Sequence, residues 1–297
     1  MARTGLTFLI VLVASFLSQP ALAGNILFVS DTTTDTDIIT VLEGDGHTVT
    51  SRLNEYNGST RPVLEGALSG YDAVYWSTSQ QNHTSADQPA FDNLSAYAAS
   101  GGYVFITGAD GVIDPYNPDL PPRPFLVFLG SYRGYDGGYN YLPLPNISNP
   151  LTTGRIDIRG LTPLNSADSD SICSPFSAGT TGLVQTSSSP AACNGNPSYA
   201  WALTSAGSGY IAYVQSGNFT STNPPHDPLW TDTTMWGGDI NVKNWGEYNA
   251  AARNFALNAS LKPQSVPTVS EAGMILFMAL AGLGSAFYAG RRKNLKG

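Results

Sequence analysis

The chain has 297 residues, 14 basic and 22 acidic side chains, and a formal net charge of −8 at neutral pH. A protein with this negative charge repels the phosphate backbone of nucleic acids, so we expect no nucleic-acid partner. Apolar residues make up 42% of the chain, which is enough for a folded core and argues against disorder.

The first 23 residues are typical of a secretory signal peptide. Arg3 supplies a positive start, residues 6–17 form an apolar stretch, and residues 21–23 read Ala-Leu-Ala, a small-residue cleavage site. We therefore expect an exported protein whose mature chain starts near Gly24.

Residues 24–262 are predicted to form one α/β domain. The predicted strands are residues 25–30, 47–53, 71–76, 103–107, 199–203 and 209–214. The predicted helices are residues 34–43, 62–68, 88–100 and 247–258. Strands and helices that alternate in this way predict a parallel sheet with helices on both faces.

The alternation is lost between about residues 108 and 198, where Gly, Pro, Tyr and Asp dominate. Such a stretch is too long for an ordinary connection, so we predict an irregular insertion with a single short strand at residues 155–158. Its two cysteines, Cys173 and Cys193, are the only ones in the chain. In an exported protein this pair predicts a disulfide, which stabilises by about 3 kcal/mol through loop entropy.

The C-terminal region predicts a membrane anchor. Residues 272–290 carry no charge, and residues 274–290 are predicted to form a transmembrane helix. The basic tail at residues 291–297 is expected in the cytoplasm under the positive-inside rule. Residues 263–273 link this helix to the domain, so the protein is predicted to be a single-pass membrane protein before any processing.

The linker also carries a short motif formed by Pro267, Thr268, Ser270, Glu271 and Gly273. With the helix and the basic tail, it resembles the IPTL-CTERM class of bacterial sorting signals, which are related to PEP-CTERM signals. The departures are Val266, Val269 and Ala272, where the family prefers Ile, Leu and Trp. The resemblance implies an exosortase-type sorting protease as a partner, and the alternative is a plain C-terminal anchor.

Three stretches of the domain read NILFVSD at residues 25–31, GGYVFITGAD at residues 101–110, and GSGYIAYVQSG at residues 207–217 followed by YNAAARNFALNA at residues 248–259. They resemble the class I glutamine-amidotransferase-like superfamily, including its trehalose-utilisation-type branches. The resemblance implies a flavodoxin-like fold. Catalytic members carry a cysteine in the turn after the fourth strand, whereas the corresponding turn here, residues 108–111, has none.

No catalytic residue is therefore expected. Asp110, in that turn, and His226, which precedes Asp227, are weak candidates because no nucleophile accompanies them. The loop after the first strand carries Asp31, Asp35 and Asp37, which are weak candidates for a hard-cation site and can equally cap the following helix. Three aspartates without a glycine do not suit a flavin phosphate, so no cofactor is expected.

Many aromatic residues lie beside Gly, Asp and Asn, notably at residues 134–141 and at Trp230, Trp236 and Trp245. Aromatic faces with polar neighbours can hold sugar rings, which suggests a carbohydrate ligand; the alternative is that they pack the loops onto the sheet. The sequence thus predicts an exported bacterial envelope protein, in the periplasm or at the cell surface, that acts as a non-catalytic surface or binding module. The alternative is a hydrolase acting on envelope carbohydrate or peptide.

Overall fold

The computed structural model of the protein describes residues 23–31, 37–55, 61–78, 87–107, 127–131, 133–136, 141–162, 170–187, 191–214 and 243–261. Their strands are β1 (Asn25–Ser30), β2 (Thr48–Arg52), β3 (Ala73–Ser77), β4 (Tyr103–Thr107), β5 (Gly134–Asp136), β6 (Asp170–Cys173), β7 (Thr180–Gln185), β8 (Ser198–Ala206) and β9 (Gly209–Val214). Their helices are α1 (Asp37–Gly44), α2 (Pro62–Glu65), α3 (Gln88–Ala99) and α4 (Lys243–Leu261).

Five strands form the parallel part of one sheet, in the order β2-β1-β3-β4-β9. This is the order of doubly wound flavodoxin-like folds, in which the first strand lies between the second and the third. β3 and β4 are buried along their whole length, as expected of central parallel strands covered on both faces. The flavodoxin-like arrangement predicted from the sequence is therefore present in this part of the molecule.

Helices cover both faces of these strands, because alternate side chains point to opposite sides. On one face Phe105 packs against Phe255 of α4, with ring centroids 5.6 Å apart, and Ile38 of α1 belongs to the same core. On the other face Trp76 packs against Phe91 of α3, at 5.4 Å. The two cores hold the sheet between them and fix where each strand ends.

The complete sheet is mixed, which corrects the prediction of a wholly parallel one. β8 runs antiparallel to β9, and it also pairs with β6 and β7 in antiparallel fashion. β5 then adds to β6 at the edge. The insertion is thus only partly irregular: its strands are three to six residues long, and β7 pairs with β8 through register shifts that blur any alternating pattern.

The prediction of a strand at residues 155–158 is wrong. This segment is a loop whose backbone is held by α4: Ile156 N donates to Asn254 Oδ1 at 2.8 Å, and Asn254 Nδ2 donates to the carbonyls of Leu151 and Ile156. Asn258 Nδ2 donates to Thr153 O at 2.9 Å. Side-chain amides of α4 thus bind the backbone of this segment in place of a neighbouring strand.

The predicted disulfide between Cys173 and Cys193 is present, with Cα atoms 5.3 Å apart. Both cysteines are buried. The bond ties the end of β6 to the short 3₁₀ helix Ala191–Cys193, and thereby closes the loop that contains β7.

Candidate functional site

The parallel strands β1, β3 and β4 end side by side in hydroxyl-bearing residues. Ser30 lies opposite Ser77, and Ser77 lies opposite Thr107, so three buried hydroxyl residues form one row. The next residues along β1 and β3 are Asp31 and Thr78, which are also buried. We call these five residues the carboxyl edge. It lies where the strand order reverses between β1 and β3, the position at which open α/β sheets bind ligands.

A buried ion cluster occupies one side of the carboxyl edge. Arg61, the residue before α2, is fully buried, and its Nε and Nη2 donate to the two carboxylate oxygens of Asp31 at 3.0 and 2.8 Å. Its Nη1 donates to Asp87, the residue before α3. Trp76 Nε1 donates to Asp31 at 3.2 Å, and the Arg61 guanidinium lies 4.8 Å from the centre of the Trp76 ring. One guanidinium thus ties the end of β1 to the starts of α2 and α3.

The charges of this cluster decide which ligands suit the edge. The positive charge of Arg61 is paired with the carboxylates of Asp31 and Asp87. Because these groups are buried, solvent screens them less than it screens surface charges. An anion such as a flavin phosphate would meet a guanidinium whose donors already serve two carboxylates.

Two hydroxyls at the carboxyl edge have no hydrogen-bond partner among the described residues. They are Thr78 Oγ1 and Thr107 Oγ1, and both are buried. The backbones of the same two residues are paired, since Thr78 N donates to Thr107 O at 2.8 Å. Burying a hydroxyl without a partner costs about 1–3 kcal/mol, so such groups in a folded protein call for an explanation.

Of the three predicted cation ligands, Asp31, Asp35 and Asp37, the structure describes the side chain of Asp31 alone. Both carboxylate oxygens of Asp31 accept hydrogen bonds from Arg61, so a cation there would have to displace a guanidinium. Asp35 lies outside the described residues, and Asp37 begins α1 with a side chain that is not described. Within the described part of the chain, no group of three acidic, His or Cys side chains is arranged to hold a metal ion.

Other predicted residues lie outside the described part of the chain. They are Asp110, His226, Trp230, Trp236, the motif residues Pro267, Thr268, Ser270, Glu271 and Gly273, the signal peptide and the helix at residues 274–290. Trp245 belongs to α4, but its side chain is not described. Among the helices that the structure describes, none is both long and apolar enough to cross a membrane. Tyr141, from the aromatic stretch, is buried in the core.

Sequence reasoning missed Arg61, Asp87 and the two threonines. Asp87 occupies the N-cap position of α3 but makes no capping hydrogen bond with its side chain. It is therefore easily mistaken for a cap, the role most often taken by an aspartate before a helix. The signal that could have revealed the cluster is Arg61 itself, a rare basic residue directly before Pro62 in an acidic domain.

A separate pocket lies beside the disulfide, near the edge strands β5 and β6 of the mixed sheet. It is lined by Ser131, Arg133, Cys173, Ser174, Pro175, Cys193, Asn194 and Asn196, and encloses about 230 Å³. Its lining includes hydrogen-bonding side chains such as Ser131 and Asn196 together with the apolar ring of Pro175. The predicted catalytic candidates are not among these residues.

Comparison with known proteins gives a distant likeness in fold. No protein-family model matches the sequence, and no curated protein does. A ThuA-like protein from Parabacteroides merdae is 14% identical, with a TM-score of 0.45 over 83% of this chain and 94% of that one. A ThuA-like protein from Bacteroides uniformis is 14% identical, with a TM-score of 0.42 over 78% and 90%.

A third solved structure comes from Thermoplasma acidophilum and is described as part of a GMP synthase. It is 10% identical, with a TM-score of 0.40 over 80% of this chain and 93% of that one. ThuA-like proteins have a glutamine-amidotransferase-like fold, in agreement with the mixed α/β sheet described above. Likeness at this level carries no information on ligand or activity.

Proposed function

We propose that the protein is an exported bacterial envelope protein whose α/β domain is a non-catalytic binding module, with its ligand site at the carboxyl edge. The signal peptide at residues 1–23 supports export, and the motif around Pro267 with the apolar span after it supports sorting by an exosortase-type protease. The observation that carries the binding site is the pair of buried hydroxyls of Thr78 and Thr107, which find no partner within the described ranges.

A ligand that brings its own hydroxyls fits this edge best. A threonine hydroxyl can donate one hydrogen bond and accept others, and a ligand hydroxyl can do the same in return. The guanidinium of Arg61 already serves the carboxylates of Asp31 and Asp87, so it is poorly placed to bind an anionic ligand. We therefore propose a neutral, hydroxyl-rich ligand, such as an envelope carbohydrate.

The same residues argue for binding rather than catalysis. A general base or nucleophile needs a free lone pair directed at the substrate. Asp31 directs both carboxylate oxygens at Arg61 and Trp76. Neither threonine hydroxyl is hydrogen-bonded to a base among the described residues.

The test compares isosteric variants of the exported protein on an array of bacterial glycans and by calorimetric titration. Thr78→Val and Thr107→Val keep the shape of the side chain and remove the hydroxyl. Each is expected to weaken glycan binding about tenfold, the effect of one lost hydrogen bond of about 1.4 kcal/mol. Thr152→Val is the matched control, because the hydroxyl of this buried threonine donates to Ile147 O at 2.7 Å, away from the carboxyl edge.

The control variant should lose stability and keep its affinity. If Thr78→Val and Thr107→Val bind as tightly as the wild type, the carboxyl edge is not the site. If the wild type instead releases product from a glycan or peptide and Asp110→Ala or His226→Ala abolishes that release, the protein is the alternative hydrolase.

Sorting is tested separately on the full chain in a bacterial host. Replacing Pro267, Thr268 and Glu271 by Ala leaves the apolar span unchanged, so a plain anchor would behave as before. A sorting signal would fail, and intact mass would show a chain that still ends at Gly297. If variant and wild type both retain residues 291–297 and fractionate alike, the sorting hypothesis is wrong and the segment is a plain membrane anchor.

A further inference from the structure

The chain enters the fold at Gly24, at the end of the sheet opposite the carboxyl edge. Gly24 is buried, whereas Ala23 before it is exposed. Gly24 N donates to Nδ1 of the buried His47 at 3.1 Å, and Gly24 O accepts from Thr48 N at 3.0 Å. The bond between Ala23 and Gly24 therefore lies at the boundary between solvent and core.

The surroundings of Gly24 are tightly packed. A Cβ atom at this position would collide with Ser260 Oγ in the last turn of α4. The same Cβ position lies 3.3 Å from Asp72 Oδ2, an atom that also accepts from Asn25 N at 2.9 Å. A carboxylate thus lies beside Gly24 and Asn25, and a side chain at position 24 would require Ser260 Oγ to move.

These neighbours are suited to a positive charge. Burial lowers the pKa of His47 and Arg155 lowers it further, while Asp45 and Asp72 oppose the shift. The imidazole is therefore neutral at pH 7 and presents the Nδ1 lone pair to Gly24. The end of α4 adds the negative pole of a helix dipole, which favours cations. A neutral acceptor, a carboxylate and a helix C-terminus form the environment that a buried ammonium group requires.

We propose that this end of the sheet is a seat for the free α-amino group of Gly24, created by hydrolysis of the Ala23–Gly24 bond. Water adds across the amide: its hydroxyl stays on the Ala23 carbonyl carbon and its hydrogen on Gly24 N. The new acid then loses a proton and the new amine gains one. The proposal depends on the export part of the proposed function, and it is independent of the carboxyl edge.

The seat selects one peptide bond. Cleavage one residue earlier would place the positive charge on Ala23, which is exposed. Cleavage one residue later would remove Gly24, and His47 Nδ1 would lose its donor. The mature fold thus favours a start at Gly24 over the neighbouring positions.

The experiment uses the full chain expressed with export and purified from cells. N-terminal sequencing identifies the first residue. The native and the denatured protein are then acetylated at pH 7, and mass spectrometry follows the Gly24 α-amine with lysine side chains as internal references. We expect a start at Gly24 and an α-amine that reacts at least about tenfold more slowly in the native protein, the effect of 1.4 kcal/mol of ammonium stabilisation.

Two variants make the outcome specific. Asp72→Asn keeps the size of the side chain and removes its charge, and we expect faster acetylation of Gly24. Asp92→Asn, an exposed carboxylate on α3 that accepts from Gln88 Nε2, should leave the rate unchanged. A chain that still begins at Met1 would overturn export together with the seat. A start at Gly24 with equal rates in the native and denatured protein would overturn the seat alone.

Discussion

The two ends of the parallel sheet treat their polar groups differently. At the carboxyl edge, Thr78 and Thr107 bury hydroxyls that no described residue pairs. At the opposite end, which we call the amino edge, Asp45 accepts from Arg253 at 2.6 and 2.8 Å and forms an ion pair with Arg155 at 3.2 Å, and His47 accepts from Gly24. An unpaired buried group is not confined to the carboxyl edge, since Asn149 Nδ2, in the loop beside the amino edge, also has no partner among the described residues. What distinguishes the carboxyl edge is that its two unpaired hydroxyls lie at the ends of adjacent parallel strands, where open α/β sheets bind ligands.

The difference suggests that the two edges have different roles, one in stability and one in binding. The amino edge joins the turn after α1 to α4 and to the loop at residues 149–158, because Asp45, Arg253 and Asn254 bridge these segments. It contributes to stability. The carboxyl edge combines a paired ion cluster with the two threonine hydroxyls, and we propose that it contributes to binding.

The largest predicted effect is the loss of stability when the guanidinium of Arg61 is removed from the ion cluster beside the carboxyl edge. Arg61→Met should lower the free energy of unfolding by about 3–5 kcal/mol, because Asp31 and Asp87 would be left buried without their common partner. Urea denaturation measures the change. Arg159→Gln is the control, since Arg159 pairs with Asp157 at the surface and its loss should not shift the midpoint measurably. A mild effect of Arg61→Met would mean that the cluster opens to water.

The second prediction concerns a substitution that weakens the ion pairs of the amino edge. Asp45→Asn should lower the free energy of unfolding by about 1–2 kcal/mol, less than Arg61→Met, because Arg155 is 41% exposed and solvent screens its share. Binding at the carboxyl edge should be unchanged when measured below the unfolding transition. Loss of glycan affinity in this variant, with its fold intact, would break the proposed division.

The third prediction concerns the pH dependence of the amino edge. Burial holds the pKa of His47 below that of an unfolded histidine, so the unfolded chain takes up a proton first as pH falls. The contribution of His47 is complete above about pH 6.5 and is lost as the pH falls from there towards its folded pKa. Asp45, Asp72 and Arg155 act on the same imidazole. His47→Asn should flatten this part of the stability curve between about pH 7.5 and 5, whereas an unchanged slope would assign it to other groups.

The smallest predicted effect is on the stability of the threonine variants. Thr78→Val and Thr107→Val remove hydroxyls that have no partner in the described part of the chain, so the free energy of unfolding should stay within about 1 kcal/mol of wild type or rise. Thr152→Val, which removes a hydrogen bond to Ile147 O, should lower it. A clear loss of stability in the first two variants would mean that these hydroxyls are bonded in solution.

The sequence predicted the parallel strands well because each is a continuous apolar run between turn residues, as at residues 103–107. It did not predict β5 to β7, which are short and rich in Gly, Ser and Thr and depend on β8 for pairing. The candidate site could be predicted from the sequence only in part. Asp31 was recognised at the end of β1, but its partner Arg61 lies 30 positions away, and an arginine before Pro62 does not by itself indicate which carboxylates it pairs with.

Hydrogen–deuterium exchange of the exported protein, with and without soluble envelope oligosaccharides, tests the central claim most directly. The account predicts that a bound oligosaccharide slows amide exchange around residues 30–31, 77–78 and 107, and leaves residues 24–25, 45–48 and 72 unchanged. Protection confined to the amino edge, or bound ligand that protects neither edge, would contradict the assignment of binding to the carboxyl edge.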